Sequence, residues 1–217
     1  MEMRGKNKFM KNKLLIIGAS GHGKVLADIA KKMNQWKSIA FLDDDTSKKE
    51  VLDLEVIGTI NEAFEHVHRY SFIVGIGNNE IRKHIQEEIN CENGEIATLI
   101  HPSACIGEEV VIGIGTVIMA NAVINSGTKI GNGCIINTAA TVDHDNIIND
   151  YVHVSPGAHL AGNVQIGSES WLGIGSIVNN NISIIANTLI GAGGTVVKDI
   201  KKSGTYVGVP VRRLKNG

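Results

Sequence analysis

The chain has 217 residues, a formal net charge of −1, and 43% hydrophobic but only 4% aromatic residues. The near-zero charge excludes a nucleic-acid binder that relies on phosphate neutralisation, and no apolar run approaches the ~18 residues of a membrane span. No signal peptide is visible, so a cytoplasmic protein of one large or two small domains is expected. Residues 1–12 are polar and basic and read as a disordered tail. Lys13 to Ile17 is a short apolar run, predicted as a strand, that stops at Gly18-Ala-Ser-Gly-His-Gly23. Val25, Leu26, Ile29, Ala30 and Met33 then follow a helical spacing. Strand, glycine turn and helix form the unit that cradles phosphates at a helix N-terminus. The spacing here is G-x-x-G-x-G, not G-x-G-x-x-G, which argues against a standard dinucleotide fingerprint.

A second strand, Ser38 to Leu42, ends in Asp43-Asp44-Asp45, carboxylates well placed to accept from a ribose or base. A third, Phe72 to Ile76, runs into Gly77-Asn78-Asn79 and a helix from Glu80 to about Ile89. Three such junctions on one edge of a parallel sheet form the usual ligand crevice of α/β folds, although the same glycines also serve plain tight turns. Residues 13–99 are therefore predicted to form a Rossmann-like α/β domain.

Composition changes near residue 100. From Ile106 to Val196 an aliphatic residue falls on every sixth position, sixteen times without a break. That period fits neither a helix face, at about 3.6, nor a plain strand, at about 2. It marks a parallel β-helix of hexapeptides, three to each triangular coil, over residues 100–197. A mostly small residue stands two positions before each aliphatic, with Asn146 and Ile182 as poor fits. Glycine often follows the aliphatic, as at Gly107, Gly113, Gly131, Gly167, Gly173 and Gly191, and is expected to supply the corner conformation. The preceding domain is expected to cover the N-terminal end of the solenoid, and residues 198–217 to cap the other.

On this ruler Val142 points inward and His144 falls at a corner, pointing out, flanked by Asp143 and Asp145. A histidine is the natural general base near neutral pH, and a flanking carboxylate can orient it. The alternative is a solvated surface histidine. His153 lies half a coil further on, so the two can meet only across a subunit boundary. His159 sits at the equivalent position on the next face and reads as structural; His101, before Pro102, reads as a junction residue. His144, His153 and His159 do not converge as a zinc set would, so no metal is expected. Cys91, Cys105 and Cys134 lack metal spacing and are expected to be reduced and buried.

Eight segments stand in a recognisable order: Gly18-Ala-Ser-Gly-His-Gly-Lys24, Phe41-Leu-Asp-Asp44, Ile76-Gly-Asn-Asn-Glu-Ile-Arg82, Asn137-Thr138, Val142-Asp-His-Asp145, His153-Val-Ser155, Ala161-Gly-Asn-Val164 and Val207-Gly-Val-Pro210. With them the chain, over residues 12–214, resembles the sugar acyltransferases of the left-handed β-helix superfamily. The nearest group is the UDP-4-amino-sugar N-acetyltransferases of bacillosamine synthesis, with sialic acid O-acetyltransferases as relatives. The resemblance implies left-handed coiling, a homotrimer, a UDP-amino sugar held by the first domain and acetyl-CoA lying between two β-helices. Carried over, Ser20, Gly21, His22, Asp43, Asp44 and Gly77 hold the nucleotide sugar and Asn137 touches the sugar. His144 is the base. Asp145 stands where the bacillosamine enzyme has a glutamate that raises the histidine's basicity, and Asp143 can share or take that role. His153, Gly162, Ile174 and Ala192 contact acetyl-CoA, Ala192 replacing a common glycine. The expected reaction is acetylation of the C4 amine of a UDP-4-amino-4,6-dideoxy sugar in glycan or polysaccharide synthesis. O-acetylation of sialic acid, or of another nucleotide amino sugar, and a non-catalytic nucleotide-sugar scaffold remain as alternatives.

Overall fold

The computed structural model describes residues 12–214. The expectation of a disordered N-terminal tail falls almost wholly outside that range. The chain opens with β1 (Lys13–Ile17), α1 (Gly21–Met33) and β2 (Ser38–Leu42). A hairpin of β3 (Glu50–Val51) and β4 (Leu54–Glu55) and a 3-10 segment (Ile60–His66) precede β5 (Ser71–Val74), α2 (Asn79–Cys91) and β6 (Glu95–Ile96). The sheet is parallel, in the order β2-β1-β5-β6. Apart from the exposed Lys13, β1 and β5 are almost continuously apolar and buried, as strands covered on both faces must be.

β7 (Leu99–Ile100) begins the solenoid one hexapeptide before the aliphatic row starts. The solenoid is a left-handed parallel β-helix with three faces, and among the described residues it has five complete coils and a partial sixth. The first face carries Leu99, Val117, Ile135, His153, Trp171 and Leu189 in outward register. The second carries Cys105, Val123, Thr141, His159, Ile177 and Thr195, and the third Val111, Lys129, Ile147, Gln165 and Ser183. The aliphatic row fills the interior, and Thr116, Thr128, Cys134, Ser170, Ser176 and Thr188 are buried beside it.

The corner geometry corrects the role given to glycine. One residue in each hexapeptide has positive φ, without exception from Glu109 to Gly193, and it stands three positions after the aliphatic. These sites are glycine, asparagine, aspartate or another residue that accepts the left-handed region at some cost. The glycine directly after the aliphatic is needed for a different reason. A Cβ at Gly107 would lie 2.7 Å from the backbone N of Ser126, and one at Gly173 2.6 Å from the Ile190 carbonyl. Those glycines let successive coils stack closely.

Two further expectations change. The α/β domain lies against the side of the solenoid, not over its end: α1 packs with Leu99, Val117, Met119 and Ile135 of the first face. Ile106, the first inward residue of the row, is consequently 36% exposed. At the other end Ile200 bridges to Ile184, and Tyr206 and Val211 pack on the core. All three cysteines are free, but only Cys134 is buried; Cys91 ends α2 and Cys105 faces outward on the first coil. No helix among the described residues is long and apolar enough to cross a membrane.

Candidate active site

The three junctions of the sheet meet at one edge. Gly18 N–H donates to the Leu42 carbonyl and Gly75 N–H to the Ile17 carbonyl, each at 2.7 Å. Asp43 ties the edge together: Oδ2 accepts from Ala19 N–H at 2.6 Å, and Oδ1 from Asp45 N–H and from Lys48 Nζ at 3.0 Å. Burial works to raise the Asp43 pKa, but these donors outweigh it and hold it below the usual carboxylate range. Asp43 thus braces the loop, whereas Asp44 is exposed and accepts from Ile60 N–H at 3.0 Å. α1 has no acidic residue in its first turn and no side-chain cap from Ser20, which leaves its N-terminal N–H groups available to an anion. Gly21 and Gly77 have open space where a Cβ would stand.

Arg82 joins this edge to the solenoid. It is 1% exposed, and every one of its N–H donors is used. Nε donates to the Gly133 carbonyl at 2.7 Å, Nη1 to the carbonyls of Ile76 and Gly77, and Nη2 to Asn79 Oδ1 and the Tyr151 carbonyl. Burial pushes its pKa down to about 10, so it stays charged at neutral pH. His22 and His153 feel that charge. Burial first, then Arg82, brings His22 down to about 4; burial, Arg82 and His22 bring His153 down to about 3. Both are neutral imidazoles near neutral pH.

His153 opens onto a groove of about 390 Å³ on the first face, which it shares with Ser155, Trp171, Ile174, Leu189 and Ala192. Three of the four residues expected on acetyl-CoA therefore line one groove. Gly162, the fourth, does not. It lies buried beneath the His144 ring, where a Cβ would stand 2.6 Å from Cε1 and Nε2. Asn137, expected on the sugar, donates through Nδ2 to His153 Nε2 at 3.1 Å.

His144 occupies the corner between the second and third faces, and its ring is exposed. Its Nδ1 lies 2.8 Å from Asp145 Oδ2, and that hydrogen bond raises its pKa above the ordinary histidine value. Asp143 is otherwise engaged: Oδ1 accepts from Asn125 Nδ2 at 2.7 Å and from His144 N–H at 2.9 Å. The carboxylate on the ring is thus that of Asp145, held at φ 57° in the left-handed corner position. Asn146, a poor fit by pattern, is buried and satisfied. Its Nδ2 donates to the carbonyls of Asp143 and Ala161, and its Oδ1 accepts from Val164 N–H. It therefore stitches the histidine corner to the next coil. His159 meets Thr141 Oγ1 at 2.8 Å, and His101 accepts from Ser103. Among the described residues no cluster of histidine, cysteine and acidic side chains has the arrangement of a metal site.

Three residues beyond the expected set also shape the corner or the groove: Gly127, Asn125 and Trp171. A Cβ on Gly127 would meet Asp145 Oδ1 at 2.7 Å. Gly162 gives a direct test. In Gly162→Ala the methyl forces the exposed imidazole out of its pose, and displacement of a reacting group by about 1 Å can cost ~100-fold. We expect kcat to fall by about 10- to 100-fold with the melting temperature almost unchanged, because the ring can swing into solvent. Unchanged kcat would mean that this ring pose is not the working one.

An α/β domain set against a left-handed β-helix that carries a histidine–aspartate corner defines an acyltransferase of the hexapeptide-repeat class. Comparison with known proteins narrows the class. The PglD N-terminal domain family matches residues 13–89. The acetyltransferase domain of PglB from Neisseria gonorrhoeae FA1090, solved in complex with acetyl coenzyme A, is 40% identical with a TM-score of 0.91, over 94% of this chain and 100% of that one. GDP-perosamine N-acetyltransferase of Escherichia coli O157:H7 is 30% identical over 77% of this chain and 78% of its own length. UDP-N-acetylbacillosamine N-acetyltransferase of Bacillus subtilis is 38% identical over 114 residues, about half of each chain. The chain belongs to the PglD-like family of sugar N-acetyltransferases.

Proposed function

We propose that the protein transfers acetyl from acetyl-CoA to the C4 amine of a UDP-linked 4-amino-4,6-dideoxy sugar, with His144 as general base. The observation that carries the reading is the His144–Asp145 pair. Asp145 accepts from Nδ1–H, so Nε2 carries the lone pair, on an exposed ring that a substrate can approach. His144 takes a proton from the attacking amine, and the nitrogen adds to the thioester carbonyl. The tetrahedral intermediate collapses with cleavage of the C–S bond, and the proton passes to the leaving thiolate. The apolar groove beside His153 fits the pantetheine arm of acetyl-CoA, being lined by Trp171, Ile174, Leu189 and Ala192. The open N-terminus of α1 suits the diphosphate, and Asp44 the nucleoside.

His144 and the groove lie on different edges of the same solenoid. A complete site therefore takes its base from one copy and its acyl-donor groove from another, and we infer a homotrimer with its active sites at the subunit boundaries. Use of acetyl-CoA and a nucleotide sugar, both cytoplasmic metabolites, supports a cytoplasmic reaction. A GDP-linked 4-amino sugar is the second reading, favoured by the identity with the perosamine enzyme. Release of CoA should be measured with UDP-, GDP- and dTDP-4-amino sugars and with sialic acid. The expected result is turnover with the UDP-amino sugar at a kcat/KM at least ~10-fold above the others. Preference for the GDP-linked sugar would replace the first reading by the second, and preference for sialic acid would overturn both.

A further inference from the structure

The exposed His144 ring meets Asp145 at Nδ1 and Gly162 beneath it. An exposed ring is not held by packing, so its place is set from the main chain. Both peptides that flank His144 are hydrogen-bonded at each end. In the peptide before it, His144 N–H donates to Asp143 Oδ1 at 2.9 Å, and the Asp143 carbonyl accepts twice. One donor is the Thr128 hydroxyl of the preceding coil, at 2.8 Å; the other is Asn146 Nδ2, at 2.6 Å. In the peptide after it, Asp145 N–H donates to the Ser126 carbonyl at 3.1 Å. The His144 carbonyl accepts from Asn163 N–H at 3.0 Å, with Asn146 Nδ2 at 3.3 Å. Asn146 N–H also donates to Thr128 Oγ1, so the two side chains form one linked pair.

Thr128 and Asn146 are fully buried beside the aliphatic column. Burying a polar group costs free energy unless it is bonded, a cost that an aliphatic residue avoids. The chain makes that apolar choice at the same place elsewhere. Taken in steps of one coil, the positions through this pair read Val110, Thr128, Asn146, Val164 and Ile182. The polar residues are confined to the coil that carries His144 and the one before it. The corner can be built without them, so what they add is local to the histidine.

We propose that Thr128 and Asn146 are positioning residues for the base: they lock the peptides on either side of His144 and so fix where its exposed ring stands. This rests on the reading of His144 as the base. Displacement of a reacting group by about 1 Å can cost ~100-fold, and a site on a corner needs its support from beneath.

The test replaces each residue by the valine that its own column already accepts. Thr128→Val, Asn146→Val and the double variant are made in the full-length protein. Thr116→Val is the matched control: Thr116 is equally buried, and its hydroxyl makes the same bond to the next coil, to the Gly131 carbonyl at 2.7 Å, away from the base. Kinetics with the amino sugar selected by the CoA-release screen are measured well below each melting temperature, and the His144 imidazole is titrated by NMR. Asp143 and Asp145 are the titratable groups that act on that ring. The coils on either side bring Asn125, Gly127 and Gly162, which do not titrate, to the corner. Asp145 holds the His144 pKa above the ordinary histidine value, so a loosened corner should let it fall. Each single variant should lose about 10-fold in kcat and the double about 100-fold, with both KM values within about two-fold. Thr128→Ser keeps the hydroxyl and should stay within about two-fold of the wild-type kcat, as should Thr116→Val. Unchanged kcat in the double variant, or an unmoved His144 pKa, overturns the proposal. So does an equal loss of kcat in Thr116→Val, which would make the effect one of general stability. Near-normal turnover in His144→Ala would count against the base alone, since the NMR titration would still decide whether the pair holds the ring.

Discussion

Replacing His144 by alanine should lower kcat by about 10²- to 10⁴-fold, the usual contribution of a positioned general base. It should leave the KM for acetyl-CoA within about three-fold, because the His153 groove lies on another face and is untouched. The companion variant Asp145→Asn separates base from orienter. Asp145 accepts from Nδ1–H at 2.8 Å and raises the His144 pKa. The active form is the neutral imidazole, so the acid limb of kcat/KM in the wild type should stand above the ordinary histidine value. Asparagine removes the charge that favours the imidazolium, so the limb should move to lower pH while the plateau falls. The left-handed corner is kept, because asparagine tolerates it as aspartate does. Near-normal turnover in His144→Ala would sink the assignment of the base. A limb that stays put in Asp145→Asn would show that the contact does not tune the ring.

Much of this corner could be read from the chain once the coil length was known. Residues eighteen apart stack, so Asp143 meets Asn125 through a hydrogen bond and Asn146 meets Val164 and Thr128. The same step puts Gly162 under His144 and Gly127 under Asp145. The aliphatic row set the inward and outward directions, and the predicted strands Lys13–Ile17 and Ser38–Leu42 match β1 and β2 residue for residue. The glycine immediately after the aliphatic misled, because close stacking and positive φ both select glycine, and only the backbone separates them. The meeting of His22, Arg82 and His153 was not legible. It depends on how two domains pack, and no period links residues so far apart in sequence. Asn146 escaped for a related reason: it breaks the small-residue pattern to hydrogen-bond a corner, and pattern alone cannot tell a satisfied internal amide from a misfit.

Arg82 carries the second large effect, on stability. A buried cation normally has a carboxylate partner. Here backbone carbonyls from both domains and one asparagine amide take all five N–H groups, and the carbonyls of Gly133 and Tyr151 belong to the solenoid. Arg82→Met would leave those carbonyls buried and unpaired at the seam. We expect a loss of about 3 kcal/mol or more, seen as a fall in melting temperature of roughly 6 °C or more for a chain of this size. Arg82→Lys keeps the charge but cannot span the fork, and should recover only part of the loss. The two variants also separate a structural from a functional consequence. Arg82 holds the carbonyls of Ile76 and Gly77, which close the sheet edge assigned to the nucleotide sugar. In Arg82→Lys, measured well below its melting temperature, the nucleotide-sugar KM should rise more than the KM for acetyl-CoA. An unchanged melting temperature in Arg82→Met would show that the seam holds without the guanidinium. Equal rises in both KM values would show that Arg82 stiffens the whole chain and does not set the nucleotide-sugar edge in particular.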